Sequence, residues 1–367
     1  MADWPQYRGP RRSGISPERF SGRFPVGGPR RLWTAQVGVG YSGVSVKGSR
    51  VFTMGNASEQ DVVTCLSTAG KVLWQTRYPC PAGDQPGTRI TPTIHAGNVY
   101  VMSRQGLAVC LSAMTGKILW KTEIARQTGA REPKWGFAGS PLISGRLVFF
   151  NVGGSGAALD KTNGRIVWHS GNGQAGYASP VPFPGGVAIF AGTELVAVQA
   201  ATGRRLWAHP WQTGYDVNAA DPIFWGSTVF ISSNYSHGGA LLRIAGNRVG
   251  VVWENRSMKN HFNPCVLLGG SLYGNSENTL MCLDARTGAE RWQLRGIGKG
   301  GLIAADGKLL VLTERGELLS ARATPAAYQE LGRATILDGV CWTAPALSNG
   351  ILYARNHSGT LVAVKLA

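Results

Sequence analysis

Three residues before the opening position of eight short apolar segments stand Tyr41, Arg89, Ala138, Tyr177, Ala219, Phe262, Lys299 and Trp342, with Asn218 and His261 one residue earlier. If these segments converge, two cations, several aromatic rings, an amide and an imidazole meet at one place. Polar groups set among aromatic walls are the usual composition of a ligand site. Arg89 with Lys299 points to an anionic ligand, because a guanidinium fork matches a carboxylate; a salt bridge to Glu314 or Asp216 is the alternative use. Lys134 and Trp135 sit in the long connection 125–138, which can fold over the same place. Trp135 and Trp342 are placed to stack on a ring or to plug a channel. His261, with Tyr177 or Tyr215, is the candidate acid–base set. The ligand-binding candidates are therefore Tyr41, Arg89, Lys134, Trp135, Tyr177, Asn218, His261, Lys299 and Trp342.

Other chemistries find less support. Cys65, Cys80, Cys110, Cys265, Cys282 and Cys341 form no C-x-x-C pair, so no metal site is expected and the thiols read as small buried hydrophobes. Gly153-Gly154-Ser155-Gly156 has no Gly-Lys-Ser/Thr after it and reads as a hairpin turn. Neither H-E-x-x-H, nor G-x-S-x-G, nor an EF-hand loop is present. Glu194, Glu277 and Glu314 are the few glutamates available for paired-carboxylate hydrolysis.

What positions such residues follows from the composition and the period. The chain has 367 residues, 51 of them Gly, with 16% charged; this much glycine disfavours helical bundles and coiled coils. No apolar run reaches the roughly 18 residues of a membrane span. The formal net charge of +17 favours anionic partners, but basic residues cluster no more densely than Arg11-Arg12, Arg30-Arg31 and Arg204-Arg205. Nucleic acid is therefore not an expected partner.

A segment ending in Trp recurs: LSTAGKVLW (66–74), LSAMTGKILW (111–120), LDKTNGRIVW (159–168), VQAATGRRLW (198–207) and LDARTGAERW (283–292), with a looser copy LLRIAGNRVGVVW (241–253). Its tryptophans are 74, 120, 168, 207, 253 and 292, and an orphan RRLWTAQV at 30–37 adds Trp33. Between copies lie pairs of apolar strands joined by Gly turns, such as SPLISGRLVFF (140–150). Four strands, A to D, in a period of roughly 40–45 residues make a propeller blade. Strand A should start near Val44, Pro92, Pro141, Pro180, Pro222, Cys265, Leu302 and Pro345, which gives eight blades in one all-β domain over 29–367. The seventh blade carries Leu331 where Trp is expected. The eighth ends the chain after strand C, so the orphan strand should supply its D strand and close the ring. The periodic tryptophans pack blade on blade. Residues 1–28 form an arm expected to pack along the propeller surface.

LDARTGAERW closely resembles the repeat of the PQQ-like β-propeller family, and the resemblance covers about residues 29–367. That family includes quinoprotein alcohol dehydrogenases and the non-catalytic outer-membrane assembly factor BamB. The dehydrogenases carry an adjacent-cysteine disulfide and a Glu/Asn/Asp calcium set; neither is found here. No cofactor is therefore expected, with PQQ plus calcium as the alternative. The resemblance implies a cell-envelope binding or scaffold propeller, BamB-like, holding an anionic or carbohydrate-like ligand or an envelope protein at the channel mouth. The alternatives are a PQQ-dependent alcohol or sugar dehydrogenase and a polysaccharide lyase or hydrolase. WPQYRGPRRSGIS (4–16) resembles the mature start of secreted members, which implies a periplasmic or extracellular protein; the literal Met-Ala-Asp-Trp start implies a cytoplasmic one. A monomer is expected.

Overall fold

The computed structural model describes residues 2–366. Among them, eight four-stranded antiparallel sheets follow one another around a ring. The innermost strands are Ser45–Lys47, Thr93–His95, Leu142–Ser144, Val181–Phe183, Ile223–Trp225, Val266–Leu268, Gly301–Ala305 and Ala346–Ser348. Each starts within one residue of the place that the turn chemistry predicts. Strands B and C of each blade are almost wholly buried, as in LVFF and AALD of blade three. Their apolar faces pack against the neighbouring blades, because a lone four-stranded sheet cannot cover both of its own faces.

Ring closure is as the sequence implies. Arg30–Gln36 pairs antiparallel with Thr360–Lys365, from Arg30 opposite Lys365 to Gln36 opposite Thr360. Arg355 locks the same junction from inside. Its fully buried guanidinium donates to Gly38 O at 2.8 Å and to Met54 O at 2.5 Å, across the join of blades eight and one. Burial pulls its pKa down to about 10, which still leaves it charged at neutral pH.

The periodic tryptophans make one recurring contact. Each indole N–H reaches a carbonyl in the next blade: Trp33 to Thr68, Trp74 to Ala113, Trp120 to Lys161, Trp168 to Ala200, Trp253 to Ala285 and Trp292 to Thr324, at 2.7–3.2 Å. Under five of the six rings lies the glycine of that next turn; the turn beneath Trp292 has none, and Tyr328 packs there instead. A Cβ on Gly164 would sit 2.5 Å from Trp120, and its φ of +74° is in the left-handed region that favours glycine. Trp207 is different: the following C–D hairpin is the looser copy, and the ring packs on Phe183 and Phe224.

The arm departs from the expected surface course. It enters on the side of the A–B turns, where Trp4 makes a two-bond bridge with Val46. It then carries Tyr7, Arg8 and Arg12 inward to the innermost strands. Arg8 donates to Cys265 O at 2.8 Å; Arg12 donates to Pro180 O at 3.2 Å and to Pro141 O. Ile15–Ser16 then adds a parallel strand to blade seven, beside Ala304 and Ala305. Phe20 is buried in the core of blades seven and eight, and Phe24 packs against it.

Candidate functional site

The D–A and B–C connections meet on the face opposite the arm's entry and enclose a cavity of about 270 Å³. Tyr41, Arg89, Trp135, Tyr177, His261, Lys299 and Trp342 all line it. Equivalent positions in a radial repeat point at a common axis, which brings all of these but Trp135 together; Trp135 arrives on the connection 125–138. Two candidates are placed elsewhere. Asn218 is fully buried beneath the mouth, where its amide donates to Ala191, Gly192 and Trp211 carbonyls at 2.8–3.0 Å and its oxygen accepts from Ser233. It braces the loop of blade five. Lys134 stands outside the lining, its ammonium 5.0 Å from the Trp135 ring and 5.6 Å from Tyr215. Tyr215 itself is on the rim, more than half exposed.

The rings form a collar. Successive centroids run His357–Tyr41 (4.5 Å), Tyr41–Trp342 (5.5 Å), Trp342–Phe262 (5.1 Å) and Phe262–His261 (3.9 Å). They continue His261–Tyr235 (5.3 Å), Tyr235–Tyr215 (5.2 Å), Tyr215–Trp135 (6.5 Å) and Trp135–Tyr177 (6.0 Å). Arg89 stands over Tyr41 at 5.3 Å, and Lys299 over Trp342 at 5.1 Å. Such cation–ring contacts hold the cations in place without consuming their charge.

Neither cation has an ion pair among the described residues. Arg89 donates to the carbonyls of Gly87 and Gln85, both at 2.9 Å, and burial lowers its pKa to about 10. Glu314 does not pair with the Lys299 ammonium. It accepts from the Lys299 backbone N–H at 3.1 Å and from the Trp342 indole at 2.7 Å, so it fixes the loop and the ring. Glu194 and Glu277 are held by Arg205 and Lys259. The three glutamates thus do not converge as an acid–base pair.

His261 is pushed down to about 4, first by burial and then by Lys299, so it is neutral at physiological pH. Its Nε2 lies 3.2 Å from the Tyr235 hydroxyl, and its Nδ1 has no partner. Tyr177 is pushed up to about 12 by burial; its hydroxyl accepts from the Trp135 backbone N–H at 3.4 Å. Its hydroxyl therefore stays protonated at neutral pH.

The alignment missed the cavity floor. Thr91, Ser140, Ser179 and Asp221 line it, together with Tyr7 from the arm. A signal for the first four is in the sequence: each immediately precedes the proline that opens strand A. Tyr7 has no such signal, because the arm lies outside the repeat.

The quinone–calcium pair that this fold suggests can be tested on the donors. Calcium takes about six to eight oxygens with several carboxylates. The cavity lining supplies one carboxylate, Asp221, and among the described residues no group of three or more His, Cys, Asp or Glu is placed to hold a metal. All six cysteines are buried and free. The mouth does not fit that pair.

Fold and mouth together define an eight-bladed propeller of PQQ-like repeats with a ligand-sized axial cavity. The family described as outer membrane protein assembly factor BamB matches residues 59–294, and the chain belongs to it. It is 23% identical to the outer membrane protein assembly factor BamB of Yersinia pestis over 333 residues, covering 83% of this chain and 82% of the relative. With the Shewanella oneidensis BamB it shares 22% identity over 280 residues, 68% and 69% of the two chains. Among solved structures, BamB of Moraxella catarrhalis superposes with a TM-score of 0.68 at 16% identity, over 92% of this chain and all of that one. Quinohemoprotein alcohol dehydrogenase of Comamonas testosteroni gives 0.73 at 14% identity, over 99% and 80%. At such identities the structural likeness speaks for the fold alone.

Proposed function

We propose that the chain is a cell-envelope binding propeller whose axial mouth holds an anionic, ring-bearing organic ligand. The carrying observation is that Arg89 and Lys299 stand in an aromatic collar with no carboxylate partner among the described residues. A ligand carboxylate meets the cations, and its ring lies against Tyr41, Trp342 or Trp135. The relatives' names, outer membrane protein assembly factors, support the placement in the envelope. Among the described residues, no helix is long and apolar enough to cross a membrane.

The test is a thermal-shift titration with galacturonate, terephthalate and PQQ, with and without calcium, against glucose. Cyclic acids should stabilise the protein as mass action requires, and glucose should not. Replacing both cations (Arg89→Ala with Lys299→Ala) should weaken acid binding by roughly tenfold or more per lost charge-assisted bond. Equal binding of glucose, or acid binding indifferent to the double substitution, sinks the proposal. Stabilisation confined to PQQ plus calcium would instead favour a quinone-dependent dehydrogenase.

A further inference from the structure

The floor of the mouth contains a chain of hydrogen bonds that steps from blade to blade. Gly43 N–H donates to Thr91 Oγ1 at 2.9 Å, Thr91 N–H to Ser140 Oγ at 3.0 Å, Ser140 N–H to Ser179 Oγ at 3.2 Å, and Ser179 N–H to Asp221 Oδ1 at 2.7 Å. The four acceptors occupy the same register, the residue before the proline that opens strand A. Three are hydroxyls. One hydroxyl oxygen is all the link requires, as blades two to four show.

Blade five uses a carboxylate instead, and its second oxygen is surplus to the link. Asp221 is only 5% exposed, yet it lines the cavity, and its Oδ2 has no hydrogen-bond partner among the described residues. A buried polar atom without a partner is expensive, so such an atom calls for an explanation. The nearby arginines offset the charge of the carboxyl but give this oxygen no hydrogen bond. Arg8 donates to the carbonyls of Arg12, Ser13 and Cys265; Arg12 donates to Gln6 Oε1, Pro180 O and Pro141 O. Neither is in an ion pair with Asp221 among the described residues. Burial raises the carboxyl's pKa, against the pull of Arg8 and Arg12. A ligand hydroxyl satisfies the oxygen in either protonation state, since it both donates and accepts. An acceptor-only aromatic or quinoid acid leaves the ionised oxygen without a donor.

We propose that Asp221 Oδ2 is a ligand contact that selects a polyhydroxylated cyclic acid of the uronic-acid class over a ring carboxylate without hydroxyls. This rests on the reading of the mouth as an anion site. The carboxylate sits at the rim with Arg89 and Lys299, and a ring hydroxyl reaches down to Asp221.

The experiment compares galacturonate with tetrahydropyran-2-carboxylate, which keeps the ring and the carboxylate but lacks the hydroxyls, by calorimetry. The native protein should bind galacturonate about tenfold or more tightly than the bare ring acid, the usual range for a hydrogen bond to a charged group. Asp221→Ser keeps the acceptor for Ser179 and should collapse that ratio toward one, leaving the bare acid's affinity within about twofold. Should Asp221→Ser melt early, Asp221→Thr, the residue blade two carries at this register, serves as the second variant. Equal affinities in the native protein, or an unchanged ratio in the variants, overturn the contact and leave the anion site standing. Failure of both acids to bind overturns the site as well.

Discussion

The outer ring and the mouth of this propeller are built on opposite plans. At the outer ring one contact repeats: an indole N–H bonds to the next blade's C–D turn, with a positive-φ glycine under the ring at the regular turns. At the mouth the equivalent position of the eight D–A connections varies between Tyr, Arg, Ala, Phe, Lys and Trp, with only Tyr (41 and 177) and Ala (138 and 219) used twice. The seam between blades seven and eight shows why. A tryptophan in blade seven would dock on a C–D turn of blade eight. No such turn links strands C and D there, because the D strand that pairs with Thr360–Lys365 is Arg30–Gln36, from the other end of the ring's sequence. Leu331 stands there, and Gly22 and Phe24 of the arm lie against that strand. The tryptophan is lost where its acceptor is lost.

This comparison can be pressed hardest at the closing strand. Deleting residues 1–36 removes the partner of Thr360–Lys365 and leaves an unpaired edge. The expected outcome is loss of the cooperative monomer, read by size-exclusion chromatography and circular dichroism melting; a monodisperse, cooperatively melting product contradicts it. A smaller effect is expected inside the ring. Trp120→Ala, at a residue 8% exposed, should cost about 3–5 kcal/mol in urea denaturation. Leu331→Trp should bring no gain, since it has no turn to dock on and would crowd Gly22. A raised melting temperature for Leu331→Trp would break the explanation of the seam.

The mouth should carry more of the pH dependence than the ring. His261 titrates near 4 in the folded protein against about 6.5 when unfolded. The unfolded chain therefore takes up the proton first. The contribution is fully present above pH 6.5 and is lost as pH falls toward 4, on the order of 3 kcal/mol in total. His261→Gln should flatten denaturation midpoints across that window. A slope unchanged by the substitution would assign it to the other depressed histidines, His95, His209, His237 and His357.

Much of this was legible in the sequence because it is periodic. The Thr-Gly-x-x-x-Trp spacing marks the C–D turns, the orphan RRLWTAQV marks the closing strand, and a fixed offset from strand A picks out Tyr41, Arg89, Tyr177, Lys299 and Trp342, five of the seven binding candidates that line the cavity. Asn218 misled because its offset is one residue earlier, which in blade five turns the side chain under the loop while His261 in blade six still reaches the lining.

By itself, then, the sequence determined the blades, their number, their closure and part of the mouth's lining. These follow from a local period of strand and turn, repeated until the ring is full. Only the tertiary structure decided that Tyr7, Arg8 and Arg12 enter the channel, that nine rings run on as a collar, and that one oxygen of Asp221 is left without a partner. Those features join residues as distant in the chain as Arg8 and Cys265. They depend on where the ring brings separate segments together, and no local pattern of residues encodes that meeting.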